Sequence, residues 1–212
     1  MSKVLLVNGS PHEHGCTYTA LREISRQLES LGVESEIFWI GEAGALKAGS
    51  CRGCGFCREH GRCVFDDAVN RFAVLAESAQ GFVFGSPVHF AAPCGDILSF
   101  MSRLFYSAGA RVLSGKPAAS VVSCRRGGAT AALDAMNKFY PISGMPMVPS
   151  QYWNMVHGNC AADVEKDLEG LQIMRNLAVK MAWMIRSFEA GRAAGVPGPV
   201  LAEERCITNF IR

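Results

Sequence analysis

Short, almost wholly apolar runs alternate along the chain with stretches of helical spacing, and this alternation limits the fold more than any other feature. Lys3–Asn8 is an apolar run ending in Gly9-Ser10-Pro11, the pattern of a buried strand followed by a loop. In Thr17–Leu31 the residues Leu21, Ile24, Leu28 and Leu31 recur at helical spacing, and Gly32 stops the helix. Val33–Ile40 reads as a second strand, Gln80–Gly85 as a third, Pro117–Ser123 as a fourth and Met145–Ser150 as a fifth. Between them lie helices: one capped by Asp66 and running to about Ala79, one over Pro93–Ser107, and one after Gly128 that ends near Tyr140. A last helix over about Ala162–Ala190 carries Leu168, Leu171, Met174, Ala178, Met181, Ile185 and Phe188 as one stripe. Strands separated by helices predict a doubly wound α/β fold, a five-stranded parallel sheet with helices on both faces.

A chain of 212 residues with 49% hydrophobic and 19% charged residues suits a single packed domain over 1–212, with a Cys-rich loop at 48–65 and an irregular tail at 191–212. A net charge of +2 argues against nucleic acid or an anionic membrane as partner. The longest apolar runs are strand-length, so no membrane span is expected. The chain enters its first strand at Lys3 without an apolar leader, which points to a cytoplasmic location.

In open parallel sheets ligands bind beyond the carboxyl ends of the strands, where strand order reverses. The loops after strands one, three and four should therefore share one crevice. The first is Gly9–Thr17, a strand-to-helix turn whose backbone N–H groups suit a phosphate, with Ser10, His12 and Thr17 as further donors. It matches neither Gly-x-Gly-x-x-Gly nor the Gly-Lys-Ser/Thr ending of a P-loop, so a monophosphate cradle is the better match, and a merely polar strand–helix turn is the alternative. The second, Gly85–Pro93, is restrained by proline and offers backbone groups and the His89 and Phe90 side chains to a planar ring, and the alternative is an ordinary loop with a core phenylalanine. The third, Ser123–Thr130, places Cys124, Arg125, Arg126, Gly127 and Gly128 where an anion or carbonyl edge could sit, or where a solvated basic turn would.

Four of the nine cysteines, Cys51, Cys54, Cys57 and Cys63, crowd into one short segment. C-x2-C-x2-C with a fourth thiol close behind is the spacing by which one loop wraps a 4Fe–4S cubane, and Gly53 and Gly55 give it the needed backbone freedom. Structural zinc more often pairs two separated C-x2-C knuckles, and a metal-free or redox-thiol loop is the third reading. The segment follows strand two, beside strand one, which places it on the crevice side of the sheet. Cys16 lies at a helix N-terminus, where a thiol pKa can fall, yet a hydrogen-bonding role is the simpler reading. Cys94, Cys160 and Cys206 read as packing residues. Asp66 and Asp67 read as a helix cap rather than catalytic carboxylates. Trp153 is either core or part of a Ser150–Asn159 segment lining a substrate face or subunit interface.

Gly9-Ser10-Pro11 with Cys16-Thr17, followed by Gly85-Ser86-Pro87-Val88, resembles the NADPH-dependent FMN reductase branch of the flavodoxin superfamily. The segment Cys51-x-x-Cys54-x-x-Cys57 with Gly61-x-Cys63 and Asp66-Asp67 is similar to its iron–sulfur flavoprotein members, as is the ending Thr208-Asn209-Phe210-Ile211-Arg212. The resemblance implies strand order 2-1-3-4-5, FMN at the strand carboxyl edge, and a homodimer or homotetramer. It places Ser10, His12, Cys16 and Thr17 at the FMN phosphate, Pro87–Phe90 beside the isoalloxazine, and Cys124–Gly128 at its polar edge. Here His12 stands where members commonly carry Arg, Cys16 where they carry Asn or Ser, and His89 where they carry Tyr. The implied function is an oxidoreductase passing electrons from NAD(P)H or a reduced ferredoxin through FMN, with a 4Fe–4S cluster or without one. No catalytic side chain is expected beyond those that hold the flavin. The other readings are a non-enzymatic electron carrier and a zinc-stabilised nucleotide-binding module.

Overall fold

The computed structural model describes residues 2–200, 203, 204, 206–208 and 210, so Asn209, Ile211 and Arg212 of the terminal motif lie outside the described residues. In chain order the strands are β1 (Lys3–Asn8), β2 (Glu34–Trp39), β3 (Gly81–His89), β4 (Ala92–Pro93), β5 (Ala118–Cys124) and β6 (Met155–His157). The helices are α1 (Cys16–Ser30), α2 (Phe56–His60), α3 (Ala68–Glu77), α4 (Gly95–Ala108), α5 (Ala129–Asn137), α6 (Phe139–Ile142), α7 (Ala161–Val164) and α8 (Leu168–Ala193). A π-helical turn, Gly109–Leu113, follows α4.

Parallel pairing runs in the order β2-β1-β3-β5-β6, with β4 off this path. Two features correct the expected five-strand sheet of order 2-1-3-4-5. First, β3 does not stop at Gly85. It continues through Ser86-Pro87-Val88-His89 and turns back into β4, with Val88 opposite Pro93 and His89 opposite Ala92 in antiparallel register. Second, Met145–Ser150 makes only an isolated bridge, Met147 with Ala118. Pro149 has no N–H to extend that ladder, so the chain leaves the edge and rejoins β5 at Met155, opposite Val122.

Side chains alternate across the sheet with period two, and both faces are covered. Leu5, Val7, Phe82, Phe84, Ala118 and Val122 face a core shared with α3, α4 and α5. Val4, Leu6, Val83, Ala119 and Val121 face a second core shared with α1 and α8. The last helix is broken where a continuous one was expected: Asp167 accepts the Gly170 N–H at 2.9 Å and the His157 N–H at 2.7 Å, so it caps α8 and separates it from α7. The buried stripe of α8 consequently includes Ile173, Met174, Leu177 and Met181, while Leu168 is exposed. Asp67 rather than Asp66 caps α3, its side chain accepting the Val69 N–H. No helix among the described residues is long and apolar enough to cross a membrane.

One buried polar link ties the helical layer to the sheet. The Tyr140 hydroxyl, fully buried, lies 2.6 Å from the Ser120 hydroxyl of β5, and burial pushes the phenol pKa upward. Tyr140→Phe leaves the Ser120 hydroxyl without its partner and is expected to cost about 1–2 kcal/mol. Urea unfolding should show a lowered midpoint with an unchanged slope; an unchanged midpoint would contradict this reading.

Candidate functional site

The carboxyl ends of β1, β3 and β5 open onto a cleft of about 540 Å³. Its floor and walls include Ser10, His12, Cys16, Thr17, Pro87, Val88, His89, Cys124 and Arg125. The first loop is held by its own backbone and side chains. Asn8 Nδ2 donates to the Glu13 carbonyl at 2.9 Å, its Oδ1 accepts the Ser10 N–H at 3.1 Å, and Ser10 Oγ accepts the His12 N–H at 3.1 Å. Trp39, at the end of β2, donates its indole N–H to the Ser10 carbonyl at 2.8 Å. The helix then starts at Cys16 from Gly15, with no side-chain cap and no acidic residue in its first turn. Its first N–H groups and the positive end of its dipole therefore face the cleft with no acidic residue in the helix's own first turn to answer them; the carboxylate that acts on Cys16 is that of Asp163, which is bonded to the Asn159 and Cys160 N–H groups.

Several residues sit differently from the sequence expectation. Thr17 lines the cleft but is 1% exposed, with its hydroxyl 2.9 Å from that of Ser123. Cys16 donates its thiol to the Gly158 carbonyl at 3.5 Å; burial, then the nearby Cys160, push its pKa up rather than down. Cys160 and Cys206 are exposed rather than packed, and Cys160 lies at the cleft rim with Gly158, Asn159 and Ala161. The sequence placed Gly158 and Asn159 in a segment that could line a substrate face, while Cys160 and Ala161, which complete the rim, were missed. Their signal was Cys160 followed by Asp163, whose carboxylate accepts the Asn159 and Cys160 N–H groups and folds α7 against the opening. Phe90, Arg126, Gly127 and Gly128 are not part of the cleft lining. Trp153 is half exposed, outside the core.

The cysteine segment folds separately from this cleft. Gly53, Gly55 and Gly61 adopt positive φ values of 64°, 76° and 65°, which brings the short α2 round between the cysteines. Cys51, Cys54, Cys57 and Cys63 all line one cavity of about 80 Å³, together with Phe65, Arg103, Tyr106 and Ser107. Ser107 Oγ is buried and has no partner among the described residues. No three His, Cys, Asp or Glu side chains among the described residues group tightly enough for a single metal ion. The cavity shares no lining residue with the cleft, although the segment leaves β2 beside the first loop, where a Cβ at Gly41 would meet the Ser10 carbonyl oxygen and the Pro11 Cα. The cavity rests on the C-terminal half of α4, whose first turn abuts the hairpin, and from Cys94 to Arg103 the helix rises ~14 Å. Arg103, invisible as a site residue in the sequence, is buried here and holds Asp67 at 2.8 and 2.9 Å.

At the cleft edge the turn between β3 and β4 is strained. Phe90 and Ala91 have φ values of 52° and 58°, left-handed backbone at two residues that carry side chains. Phe90 is fully exposed, so burial of its ring offsets none of this strain. A two-residue hairpin loop with both φ positive favours Asn-Gly. Replacing Phe90-Ala91 with Asn-Gly is expected to raise unfolding stability by about 1–2 kcal/mol. Equilibrium denaturation measures this directly, and a loss of stability would show that Phe90 or Ala91 makes compensating contacts.

The family model described as NADPH-dependent FMN reductase matches residues 2–159. A curated relative named iron-sulfur flavoprotein, from Methanocaldococcus jannaschii, is 28% identical over 194 residues, covering 87% of this chain and 97% of the relative. Among solved structures, RosB with bound 8-demethyl-8-formylriboflavin-5'-phosphate superposes with TM-score 0.69 at 14% identity, covering 100% of this chain and 94% of that one. A flavodoxin, WrbA-like protein from Agrobacterium tumefaciens, gives TM-score 0.61 at 15% identity, covering 88% and 99%. These structural likenesses establish a flavodoxin-like α/β fold. With the family match spanning most of the chain, the protein belongs to the NADPH-dependent FMN reductase family, a family of flavin-dependent oxidoreductases.

Proposed function

We propose that the carboxyl-edge cleft binds FMN, and that the protein passes electrons from NAD(P)H or a reduced ferredoxin through it to an acceptor. The observation that carries this reading is the uncapped start of α1 facing a cleft of flavin size. The N–H groups of Cys16 and Thr17 would receive the phosphate, with the Ser10 hydroxyl and His12 beside it. Thr17, tied to Ser123, would hold the helix start in place rather than donate its hydroxyl. Pro87, Val88 and His89 would flank the ring, and Cys124 and Arg125 would meet its polar edge. Phe90 and the Arg126–Gly128 turn lie outside the cleft lining, and Gly128 would instead support the hairpin from behind: a Cβ there would come within 2.8 Å of the Ala91 Cα. When bound, FMN supplies both one-electron and two-electron chemistry. The chain's part is to place the ring and exclude water.

The four cysteines would hold a 4Fe–4S cluster. Thiols spread round one small cavity, with the unpartnered Ser107 hydroxyl in its wall, suit a cluster better than a lone zinc ion. Exposed Tyr106, Tyr152, Trp153 and Trp183 support assembly as a homodimer or homotetramer.

Gly15 supplies a test of the phosphate site. Its φ of -85° suits any residue, although a new Cβ would lie 3.2 Å from the His12 Cβ, and aspartate is a favoured N-cap. Gly15→Asp places a carboxylate on the N–H groups that the phosphate would use. FMN affinity is expected to fall about tenfold or more, roughly 1.4 kcal/mol, while riboflavin, which lacks the phosphate, loses little. Equal losses for both would place the phosphate elsewhere. Anaerobic addition of NADPH to the FMN complex should bleach its visible absorbance; a complex that stays oxidised would favour the electron-carrier reading.

A further inference from the structure

Resting on the reading that the four cysteines hold an iron–sulfur cluster, we propose that Arg103 is a positioning residue for it. Its guanidinium, clamped by Asp67, directs two N–H groups onto the Cys63 sulfur and makes the cluster easier to reduce. The geometry is specific to Cys63. Arg103 Nε and Nη2 each lie 3.4 Å from Cys63 Sγ, while Nη1 and Nη2 reach the two Asp67 oxygens at 2.8 and 2.9 Å. The side chains of Arg103 and Asp67 are 1% and 0% exposed. Asp67 alone balances the charge, so the fork's approach to sulfur is not required by the ion pair.

The surroundings fix this orientation from every side. Asp67 also accepts the Lys47 N–H at 2.8 Å and the Val69 N–H at 3.1 Å, so it cannot swing away from the arginine. Arg103 Nη1 donates to the Ala48 carbonyl at 3.2 Å, and its guanidinium lies 5.2 Å from the centre of the Phe65 ring. Cys63 is held independently: its N–H donates to Asn70 Oδ1 and its carbonyl accepts from Asn70 Nδ2, both at 3.0 Å. Of the other three, Cys57 donates to the Tyr106 carbonyl at 3.7 Å, Cys51 is held through its backbone N–H by Ser102, and Cys54 is exposed. Among the four, Cys63 is the cysteine whose sulfur receives charged donors.

N–H groups and a positive charge aimed at a ligand sulfur stabilise the more negative state of a cluster. Reduction adds one electron to the cluster, supplied in the test by dithionite, and breaks no bond. Because Asp67 neutralises Arg103 at longer range, the effect is local to the Cys63 corner of the cavity.

The test compares the parent with Arg103→Lys and with Asp67→Asn/Arg103→Met. The lysine keeps the buried pair charged but cannot present a fork to both partners; the double variant removes both charges, so neither is left alone in the core. Iron and acid-labile sulfide are measured first in the anaerobic parent. Their absence would overturn the cluster reading, and this inference with it. With the cluster present, both variants should keep the parent far-ultraviolet circular dichroism and FMN affinity. The reduction equilibrium, followed by stepwise dithionite titration, should become about tenfold less favourable, or ~59 mV for one electron. A ferrous chelator should strip iron several-fold faster. Folded variants that bind FMN yet load no iron would show that the pair only shapes the loop, and would overturn the proposal. Loaded variants with the parent's potential and the parent's rate of iron loss would overturn it.

Discussion

Parallel strands cannot be joined by a tight hairpin, so each parallel connection in this chain must cross a face of the sheet and return. That constraint sets almost everything else. It buries both faces, hence the near-continuous apolar runs at Lys3–Asn8 and Ala118–Cys124, each split by alternation between two cores. It also sends every strand-to-helix turn to one edge. Gly9–Gly15, the hairpin beyond Gly85 and the turn after Cys124 meet there because topology gives them nowhere else to go. The cleft is thus a consequence of connection rules, and its chemistry comes from what those turns leave unpaired, chiefly the uncapped N–H groups of α1.

The cysteine segment obeys a different logic. It is inserted between β2 and α3, outside the repeating crossover pattern, and is anchored by polar groups in addition to Ala45, Leu46 and Cys63, which pack on the core. Asp67 is the hub. It caps α3, receives the Lys47 N–H and pairs with Arg103 from α4, so one carboxylate joins the insertion to two helices. Leaving either member of this buried pair without the other would be costly, on the order of 3–5 kcal/mol. The insertion is therefore tied to both helices, although its glycines give it little intrinsic preference for one shape. Its cavity lies along the C-terminal half of α4 and shares no lining residue with the cleft.

Much of this was legible in the residues. The strands β1, β2 and β5, the helix α1 and the clustering of the four cysteines all follow from periodicity and spacing, because buried strands and amphipathic helices leave local signatures. Other features depended on partners distant in sequence. Val88 and His89 become strand only because β4 folds back on them, and the break at Asp167 shows only when its carboxylate finds Gly170 and His157. The edge strand was placed too early because Met147 and Val148 have the right composition, while Pro149 decides the pairing. Arg103 left no trace at all. A single arginine in an apolar helix reads as a solvated residue until Asp67 and Cys63 are seen to close round it. The rise in the Cys16 pKa was likewise hidden, since burial by the Gly158–Ala161 rim outweighs its place at a helix start.

On the proposed reading the edge cleft would hold the flavin and the cavity on α4 an iron cluster. Crystals of protein prepared without oxygen and saturated with FMN, measured at the iron absorption edge, test both halves at once. The account predicts flavin density in the cleft with its phosphate against the N–H groups of Cys16 and Thr17, and an anomalous peak enclosed by Cys51, Cys54, Cys57 and Cys63. Flavin bound elsewhere, or a cysteine cavity without iron, would contradict it.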